Sequence, residues 1–178
     1  MRVLLNEHQL QDGVATLART IDRHYDGRPL TILGVMTGSI VLFADLIRQL
    51  SMPLRVSVIR ASSYRGGTHS SDLLVDTGMM IDVEGRDVLL VDDIFDTGKT
   101  MQRLVDTVAA AGAASVSSAV LLHKLTQHDV TVRPDFVAFE IPDEFVVGYG
   151  LDYQEMYRNL PYLAVLEPDD LRKHETQQ

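Results

Sequence analysis

The chain has 178 residues, of which 46% are hydrophobic and none is cysteine, and its formal net charge is −9. This length fits a single domain over residues 1–178, while the lack of cysteine excludes disulfides, thiolate metal sites and cysteine nucleophiles. The acidic balance argues against nonspecific nucleic-acid binding, and the absence of a leader-like N-terminus or an apolar run of ~18 residues predicts a soluble, cytoplasmic protein without a membrane partner.

Apolar residues recur at helical spacing near the start of the chain, which predicts an amphipathic helix from about Glu7 to Tyr25. Strand-like and helical segments then alternate. The predicted strands are residues 30–36, 54–59, 88–91, 115–122, 136–139, 145–148 and 163–166. The further predicted helices are residues 40–50 and 100–111, with a helical turn near residues 153–158.

The middle of the chain holds a polar loop, residues 62–71, followed by a predicted hairpin of residues 72–75 and 79–83. Alternating strands and helices predict an α/β fold, in which a parallel, twisted sheet is flanked by helices on both faces. In such sheets, ligands bind at the carboxyl ends of the strands.

One segment joins a buried strand to a helix through polar residues. The apolar residues 88–91 lead directly into Asp92 and Asp93, and residues 96–100, Asp-Thr-Gly-Lys-Thr, then open the helix. Backbone N–H groups at a helix start, with hydroxyls and a glycine that permits close approach, form a phosphate site. Carboxylates beside a phosphate make chemical sense if they hold sugar hydroxyls or Mg²⁺. The alternative is structural: the aspartates end a strand and cap a helix.

The tripeptide Gly98-Lys99-Thr100 invites comparison with the nucleotide-binding P-loop, which has a glycine five residues before its Gly-Lys-Thr. That position is Asp93 here, and a carboxylate inside the loop would repel the phosphates that it must wrap. The sequence therefore argues against a P-loop nucleotidase.

Residues 88–101, Val-Leu-Leu-Val-Asp-Asp-Ile-Phe-Asp-Thr-Gly-Lys-Thr-Met, closely resemble the phosphoribosyl pyrophosphate (PRPP) motif of type I phosphoribosyltransferases, and more narrowly their hypoxanthine-guanine branch. A second specific stretch, residues 134–153, follows in the family's order. The resemblance extends from Gly34 to about Leu166. It implies the type I phosphoribosyltransferase fold, with a small hood subdomain built from the chain ends, and a homodimer or homotetramer.

The resemblance assigns the PRPP half of the site. Asp92 and Asp93 would bind the ribose hydroxyls and Mg²⁺. The 5-phosphate loop would comprise Asp96, Thr97, Gly98, Lys99 and Thr100. Asp96 would also lie near the imidazole ring of the purine as general base, because a ring nitrogen must lose a proton as the glycosidic bond forms. Relatives that use orotate or adenine usually lack this carboxylate, so Asp96 points to a 6-oxopurine.

The same resemblance assigns the purine side. Lys124 would donate to the 6-oxo group, which favours 6-oxo over 6-amino purines because an ammonium only donates. Phe145 would stack on the base, and the backbone of Val146 would contact its exocyclic groups. Asp152 would lie beside the purine as a further Mg²⁺ ligand, and Arg158 would contact pyrophosphate. The ordinary alternatives are a solvated cation, strand core and a surface ion pair.

Ser63 and Tyr64 begin the long loop that closes over the site in this family. Closure would exclude water from the reacting centre and limit hydrolysis of PRPP. The alternative is a surface hairpin without a role in the reaction.

Two segments depart from the family's pattern. Thr37 and Gly38 lie in the pyrophosphate loop, where the branch commonly has Leu-Lys-Gly, so Thr37 replaces a lysine. Pyrophosphate contacts in this loop are largely made by backbone N–H groups, often through a non-proline cis bond, so binding can survive the change. Gln127-His128 stands where many relatives carry arginines. Both departures remove positive charge.

The combined hypothesis is purine salvage: Mg²⁺-dependent transfer of 5-phosphoribosyl from PRPP to hypoxanthine, guanine or both, giving IMP or GMP and pyrophosphate. One alternative is a phosphoribosyltransferase for another base, such as xanthine. Another is a non-catalytic nucleotide-binding module, including RNA-binding relatives that sense nucleotides. Such relatives tend to lack an acid at position 96 and need a basic face, which the charge of −9 argues against.

Overall fold

The computed structural model describes residues 1–63, 73–125, 130–167 and 170, without the side chains of residues 62–63 and 73–74. Its helices are α1 (Glu7–Tyr25), α2 (Ile40–Ile47) and α3 (Lys99–Ala110). Its strands are β1 (Arg2–Leu5), β2 (Leu30–Met36), β3 (Leu54–Ser63), β4 (Leu73–Asp76), β5 (Asp87–Phe95), β6 (Ser115–Lys124), β7 (Phe136–Ile141), β8 (Val146–Val147) and β9 (Leu163–Val165).

The main sheet has six strands in the order β4-β3-β2-β5-β6-β7. Strands β3, β2, β5, β6 and β7 pair in parallel, and the edge strand β4 runs antiparallel to β3. Helices α1 and α2 pack on one face and α3 on the other. The predicted α/β fold is confirmed, with a mixed sheet. In the described part of the chain, no helix is both long enough and apolar enough to cross a membrane.

A second sheet, here named the hood sheet, joins the two ends of the chain in the order β1-β9-β8. Strand β9 pairs antiparallel with both of its neighbours. The terminal ammonium of Met1 adds an ion pair of 3.1 Å with the Glu167 carboxylate. The sequence pattern did not predict β1, because the strand is short, and its first two residues are exposed while the last two are partly buried, without alternation.

The sequence pattern of residues 7–25 and the capping of the first turn explain why helix α1 forms. Asn6 and Gln9 form a capping box, in which each side chain accepts from the backbone N–H of the other residue at 2.9 Å. The apolar positions at helical spacing are all buried: Leu10, Val14, Leu17, Ala18 and Ile21. The predicted bounds are confirmed.

The predicted hairpin after the polar loop is wrong. Strand β4 pairs with β3, in the register Arg60 to Asp76, instead of pairing with residues 79–83. Residues 79–83 form no strand. The turn that follows β4 is held by the Asp76 side chain, which accepts from the N–H of Gly78 at 2.9 Å.

Two further boundaries near the functional residues differ from prediction. Strand β5 continues to Phe95, so Asp92 and Asp93 lie within the strand and not beyond its end. Residues 153–158 do not form a helical turn, since Gln154, Glu155 and Tyr157 have positive φ angles of 52°, 64° and 75°. Tyr153 and Met156 are instead joined by an antiparallel bridge.

Candidate functional site

Two adjoining cavities lie where the parallel strands β2, β5 and β6 end. The larger, here named the main cleft, has a volume of about 260 Å³ and lies between residues 35–38 and residues 92–101. The smaller, named the side pocket, has a volume of about 220 Å³ and lies between Lys124 and residues 145–152. The residues that line both cavities are Asp93, Ile94 and Asp96. Ligands bound in the two cavities would therefore touch.

Most of the residues predicted from the sequence line one of these cavities. The main cleft is lined by Thr37, Gly38, Asp92, Asp93, Asp96, Thr97, Gly98 and Thr100. The side pocket is lined by Lys124, Phe145, Val146 and Asp152, together with Asp93 and Asp96. Lys99 and Arg158 line neither of these two cavities. The fold thus brings the predicted sugar-phosphate and base residues into contact along one edge of the sheet.

The two adjacent aspartates lie on a central strand, between β2 and β6. Asp92 is 7% exposed, and its carboxylate accepts from the N–H of Asp93 at 3.0 Å. The Asp93 carboxylate accepts from the N–H of Ile94 at 2.9 Å. Burial, and then repulsion by Asp93, raise the pKa of Asp92 well above its ordinary value. Burial also raises the pKa of Asp93. A cation bound between the two would offset their repulsion.

This carboxylate pair fits a divalent cation that also binds a substrate. Mg²⁺ is usually held by one or two carboxylates, with water and substrate oxygens completing its shell. Within residues 1–63, 73–125, 130–167 and 170, no three His, Cys, Asp or Glu side chains converge as a metal site. Asp152, a predicted metal ligand, therefore does not complete a cage with Asp92 and Asp93, and it pairs instead with Arg158 at 2.7 Å.

Replacing Asp92 by Asn is expected to raise the melting temperature measured without added ligands. A raised folded-state pKa means that the folded protein holds the proton more tightly than the unfolded chain, so the free energy of unfolding falls as pH rises above about 4. The variant removes this cost, and about 1 kcal/mol corresponds to roughly 2–4 °C at this chain length. Calorimetry at pH 5 and pH 8 tests the prediction, and the larger increase is expected at pH 8. A variant that melts below the wild type at pH 8 would contradict it.

The turn before α3 presents the start of that helix to the main cleft. Gly98 has a φ of +81°, and a Cβ atom there would overlap the Phe95 ring, so both conformation and space require glycine. Gly98 is also the N-cap residue, so no capping side chain covers the first N–H groups of α3. With Thr97 and Thr100 in the cleft wall, this helix start can bind a phosphate. The alternative in which Asp96 caps the helix is wrong.

Lys124 ends β6, and its side chain is 11% exposed, so it is not a solvated cation. Its Nζ lies 3.2 Å from Oδ2 of Asp96 and 3.2 Å from Oδ1 of Asp143. Sequence reasoning missed Asp143. Its approach to Lys124 depends on the pairing of β6 with β7, which places Ile141 opposite Lys124 and brings the next residues to the same edge, and the sequence carries no local signal of that pairing.

The two residues predicted to contact the base differ in burial. Phe145 is 53% exposed, and its ring centroid lies 5.8 Å from that of Tyr153 in an edge-on arrangement. Val146 is 5% exposed and belongs to β8. The strand-core alternative therefore holds for the Val146 side chain but not for Phe145, which has an exposed ring at the side pocket.

Arg158 is held by the segment that carries Asp152. Its Nη2 lies 2.7 Å from Asp152 Oδ1 and 3.3 Å from Glu155 Oε2, and its Nη1 donates to the Gly150 carbonyl at 2.8 Å. The ordinary alternative, a surface ion pair, is therefore present between Arg158 and Glu155, and Asp152 is the closer of the two acidic partners. The positive charge of Arg158 still acts on the aspartate pair: it lowers the pKa of Asp93 and so partly offsets the rise that burial causes.

The loop after β2 begins with a cis peptide bond between Met36 and Thr37. A Cβ atom on Gly38 would overlap the carboxylate of Asp93, so the loop backbone packs directly on the aspartate pair. Ser63 is the last residue of β3. Tyr64, the other residue predicted for the closing loop, lies outside the described residues, as does Gln127-His128.

Comparisons with known proteins agree with one another. The family model for the phosphoribosyl transferase domain matches residues 3–154. The hypoxanthine-guanine phosphoribosyltransferase of Lactococcus lactis is 40% identical over 97% of this chain and 94% of its own length. A crystal structure of a hypoxanthine-guanine phosphoribosyltransferase from Bacillus anthracis is 36% identical, with a TM-score of 0.86 over 94% of this chain and 99% of that one. The bifunctional protein TilS/HprT of Listeria innocua is 40% identical over 94% of this chain, which spans 26% of that longer protein.

Proposed function

The chain belongs to the phosphoribosyltransferase family, in its hypoxanthine-guanine branch, and on this premise we propose that it transfers 5-phosphoribosyl from PRPP to hypoxanthine, guanine or both. The products are IMP or GMP and pyrophosphate, as in purine salvage. The observation that carries the proposal is the junction between the two cavities, where Asp93 and Asp96 line both. A sugar phosphate in the main cleft and a base in the side pocket would meet there.

The main cleft takes PRPP in this proposal. The start of α3, with Thr97 and Thr100, binds the 5-phosphate through N–H and hydroxyl donors. Asp92 and Asp93 bind the ribose hydroxyls and hold Mg²⁺. When bound, Mg²⁺ supplies charge that stabilises the leaving pyrophosphate. The backbone of residues 37–38 lies beside it.

The side pocket takes the purine. Lys124 donates to the 6-oxo group, and Asp96, which shares that ammonium at 3.2 Å, lies next to the imidazole ring. The bond from the anomeric carbon to pyrophosphate breaks, a bond to a purine nitrogen forms, and the Asp96 carboxylate accepts the proton that the ring loses. Asp92 and Asp93 stabilise the positive charge that develops on the sugar during the exchange.

The direct test mixes the protein with Mg²⁺, PRPP and one purine at a time, followed by chromatography of the nucleotide formed. Turnover with hypoxanthine or guanine, little turnover with adenine and loss of activity in EDTA are expected. Turnover restricted to xanthine would favour a transferase for that base. No turnover with hypoxanthine, guanine or xanthine would exclude the proposal.

Replacing Lys124 by Gln is expected to lower the preference for hypoxanthine over adenine by about tenfold or more. An amide both donates and accepts, whereas the ammonium only donates, so the variant loses its bias against a 6-amino group. The ratio of kcat/KM for the two bases measures the effect. Arg103→Gln, on the exposed side of α3, is the matched control and should leave this ratio unchanged. An unaltered ratio in the Lys124 variant would remove Lys124 from base recognition.

A further inference from the structure

Two segments that are remote in sequence meet beside the main cleft. One is the loop of residues 37–39 between β2 and α2, and the other is residues 148–158 between β8 and β9. The first carries the backbone proposed to contact pyrophosphate. The second carries Asp152 and Arg158. The distance between the two segments therefore determines how far Asp152 and Arg158 lie from the backbone of residues 37–39.

The backbones of the two segments touch at a pair of glycines. Gly150 has a φ of +102°, and a Cβ atom there would overlap the carbonyl oxygen of Gly38. On the opposite side, a Cβ atom on Gly38 would overlap the Asp93 carboxylate. Asp93, Gly38 and Gly150 are thus packed in succession, with no room for a side chain between them. Close packing sets how near the segments can come, but it does not by itself keep them together.

A hydrogen bond beside the glycine pair holds the segments together. The Tyr149 hydroxyl donates to Oδ2 of Asp45 at 2.6 Å. Asp45 lies on α2, which is joined to the loop because the N–H of Ile40 donates to the Thr37 carbonyl at 3.1 Å. Tyr149 is 6% exposed. Burial, and then the Asp45 carboxylate, raise the pKa of Tyr149, so the phenol remains a donor to a charged acceptor, which makes the bond strong.

Two hydrogen bonds link Gly150, the residue after Tyr149, to Arg158. The N–H of Gly150 donates to the Arg158 carbonyl at 3.0 Å, and the Gly150 carbonyl accepts from Arg158 Nη1 at 2.8 Å. The other guanidinium nitrogen, Nη2, lies 2.7 Å from Asp152 Oδ1. A shift at Tyr149 therefore moves both the cation and the carboxylate of this segment.

We propose that Asp45 and Tyr149 are positioning residues that keep Arg158 and Asp152 at the right distance from the loop of residues 37–39 for pyrophosphate binding. The inference rests on the proposed function. Because Thr37 carries no charge, the loop of residues 37–39 offers only backbone and hydroxyl donors, and Arg158 is the cation that residues 148–158 add to it.

The test removes each half of the hydrogen bond. Tyr149→Phe and Asp45→Ala are each expected to raise the KM for PRPP by roughly tenfold, equivalent to about 1.4 kcal/mol, with kcat and the KM for hypoxanthine changed by less than about twofold. Asp45→Asn keeps an acceptor oxygen and should restore most of the affinity. The double variant should be no worse than either single one, because both remove the same bond.

Tyr25→Phe is the matched control, since Tyr25 is also buried but lies at the end of α1, beside Arg28. A purely structural role predicts a lower melting temperature with an unchanged KM for PRPP, and that result would overturn the proposal. Equal increases in both KM values, or additive single variants, would also overturn it. If the wild type shows no turnover, the proposed function fails, and calorimetric titration with pyrophosphate and Mg²⁺ then decides this inference. Roughly tenfold weaker binding by Tyr149→Phe supports it, and equal or no binding by both proteins overturns it.

Discussion

Replacing Asp96 by Asn is expected to lower kcat by about 10²–10⁴-fold while the KM for PRPP changes by less than about threefold. The amide has nearly the shape of the carboxylate and can still contact Lys124, but it cannot accept the proton that the purine ring loses. Asp96 lines both cavities, so it lies where the proposed transfer would bring the purine and the sugar together. Steady-state kinetics with hypoxanthine as the varied base, and separately with PRPP varied, measure the two parameters.

Asp143→Asn is the matched control for this variant. Asp143 shares the Lys124 ammonium at the same 3.2 Å distance, but its side chain is 66% exposed and does not line the side pocket. The same chemical change at Asp143 should therefore lower kcat far less than at Asp96. Equal effects of the two variants would mean that both acids act only through Lys124. Unaltered turnover in the Asp96 variant would exclude it as the base.

Replacing Gly38 by Ala is expected to lower kcat/KM for PRPP by about 10²-fold or more. The added methyl group would overlap the Asp93 carboxylate on one side, while the Gly38 carbonyl is packed against Gly150 on the other, so the loop cannot simply move away. A displacement of about 1 Å in reacting groups can cost roughly 10²-fold in rate. The measurement is kcat/KM for PRPP, with the melting temperature recorded in parallel.

Gly78→Ala provides the comparison for this substitution. The nearest group to a Cβ atom on Gly78 is the end of the Asp76 side chain at 3.1 Å, which can rotate away. This variant should retain wild-type kinetics. Near-normal kinetics in the Gly38 variant as well would show that the loop and the aspartate pair can separate without loss, and would contradict the packing argument.

Local patterns in the sequence predicted the core of the fold well. Helix α1 could be read from its spacing of apolar residues, and β5 from its apolar run, because burial on one face or on both determines these patterns. The antiparallel pairing of β4 with β3 could not be predicted, since it depends on which distant strand competes for the same edge. Strand β1 was missed because it is short and has no alternation of burial, and its pairing with β9 at the other end of the chain leaves no local signal either.

The candidate site was predictable where one segment supplies several groups, as in residues 92–100. Contacts between segments were not predictable, because they depend on how elements that are distant in sequence pack together. Asp143 next to Lys124 and Tyr149 next to Asp45 are both of this kind. Ile94 lines both cavities but was not predicted as a site residue. An apolar residue directly after the aspartate pair is interpreted as part of the core.

The hood sheet has a consequence for refolding. It pairs Val3 with Ala164, a separation of 161 residues, whereas β2 and β3 pair Leu30 with Leu54, which are 24 residues apart. Each doubling of a loop's length adds about 0.6 kcal/mol to the free energy of closing it. Pairing β1 with β9 therefore costs roughly 1.6 kcal/mol more in loop closure than pairing β2 with β3. Val146, on β8 of that sheet, lines the side pocket. During renaturation, helical circular dichroism should therefore return before binding of the proposed purine substrate does, because Val146 belongs to the sheet that also needs the most distant strand pairing in the described chain.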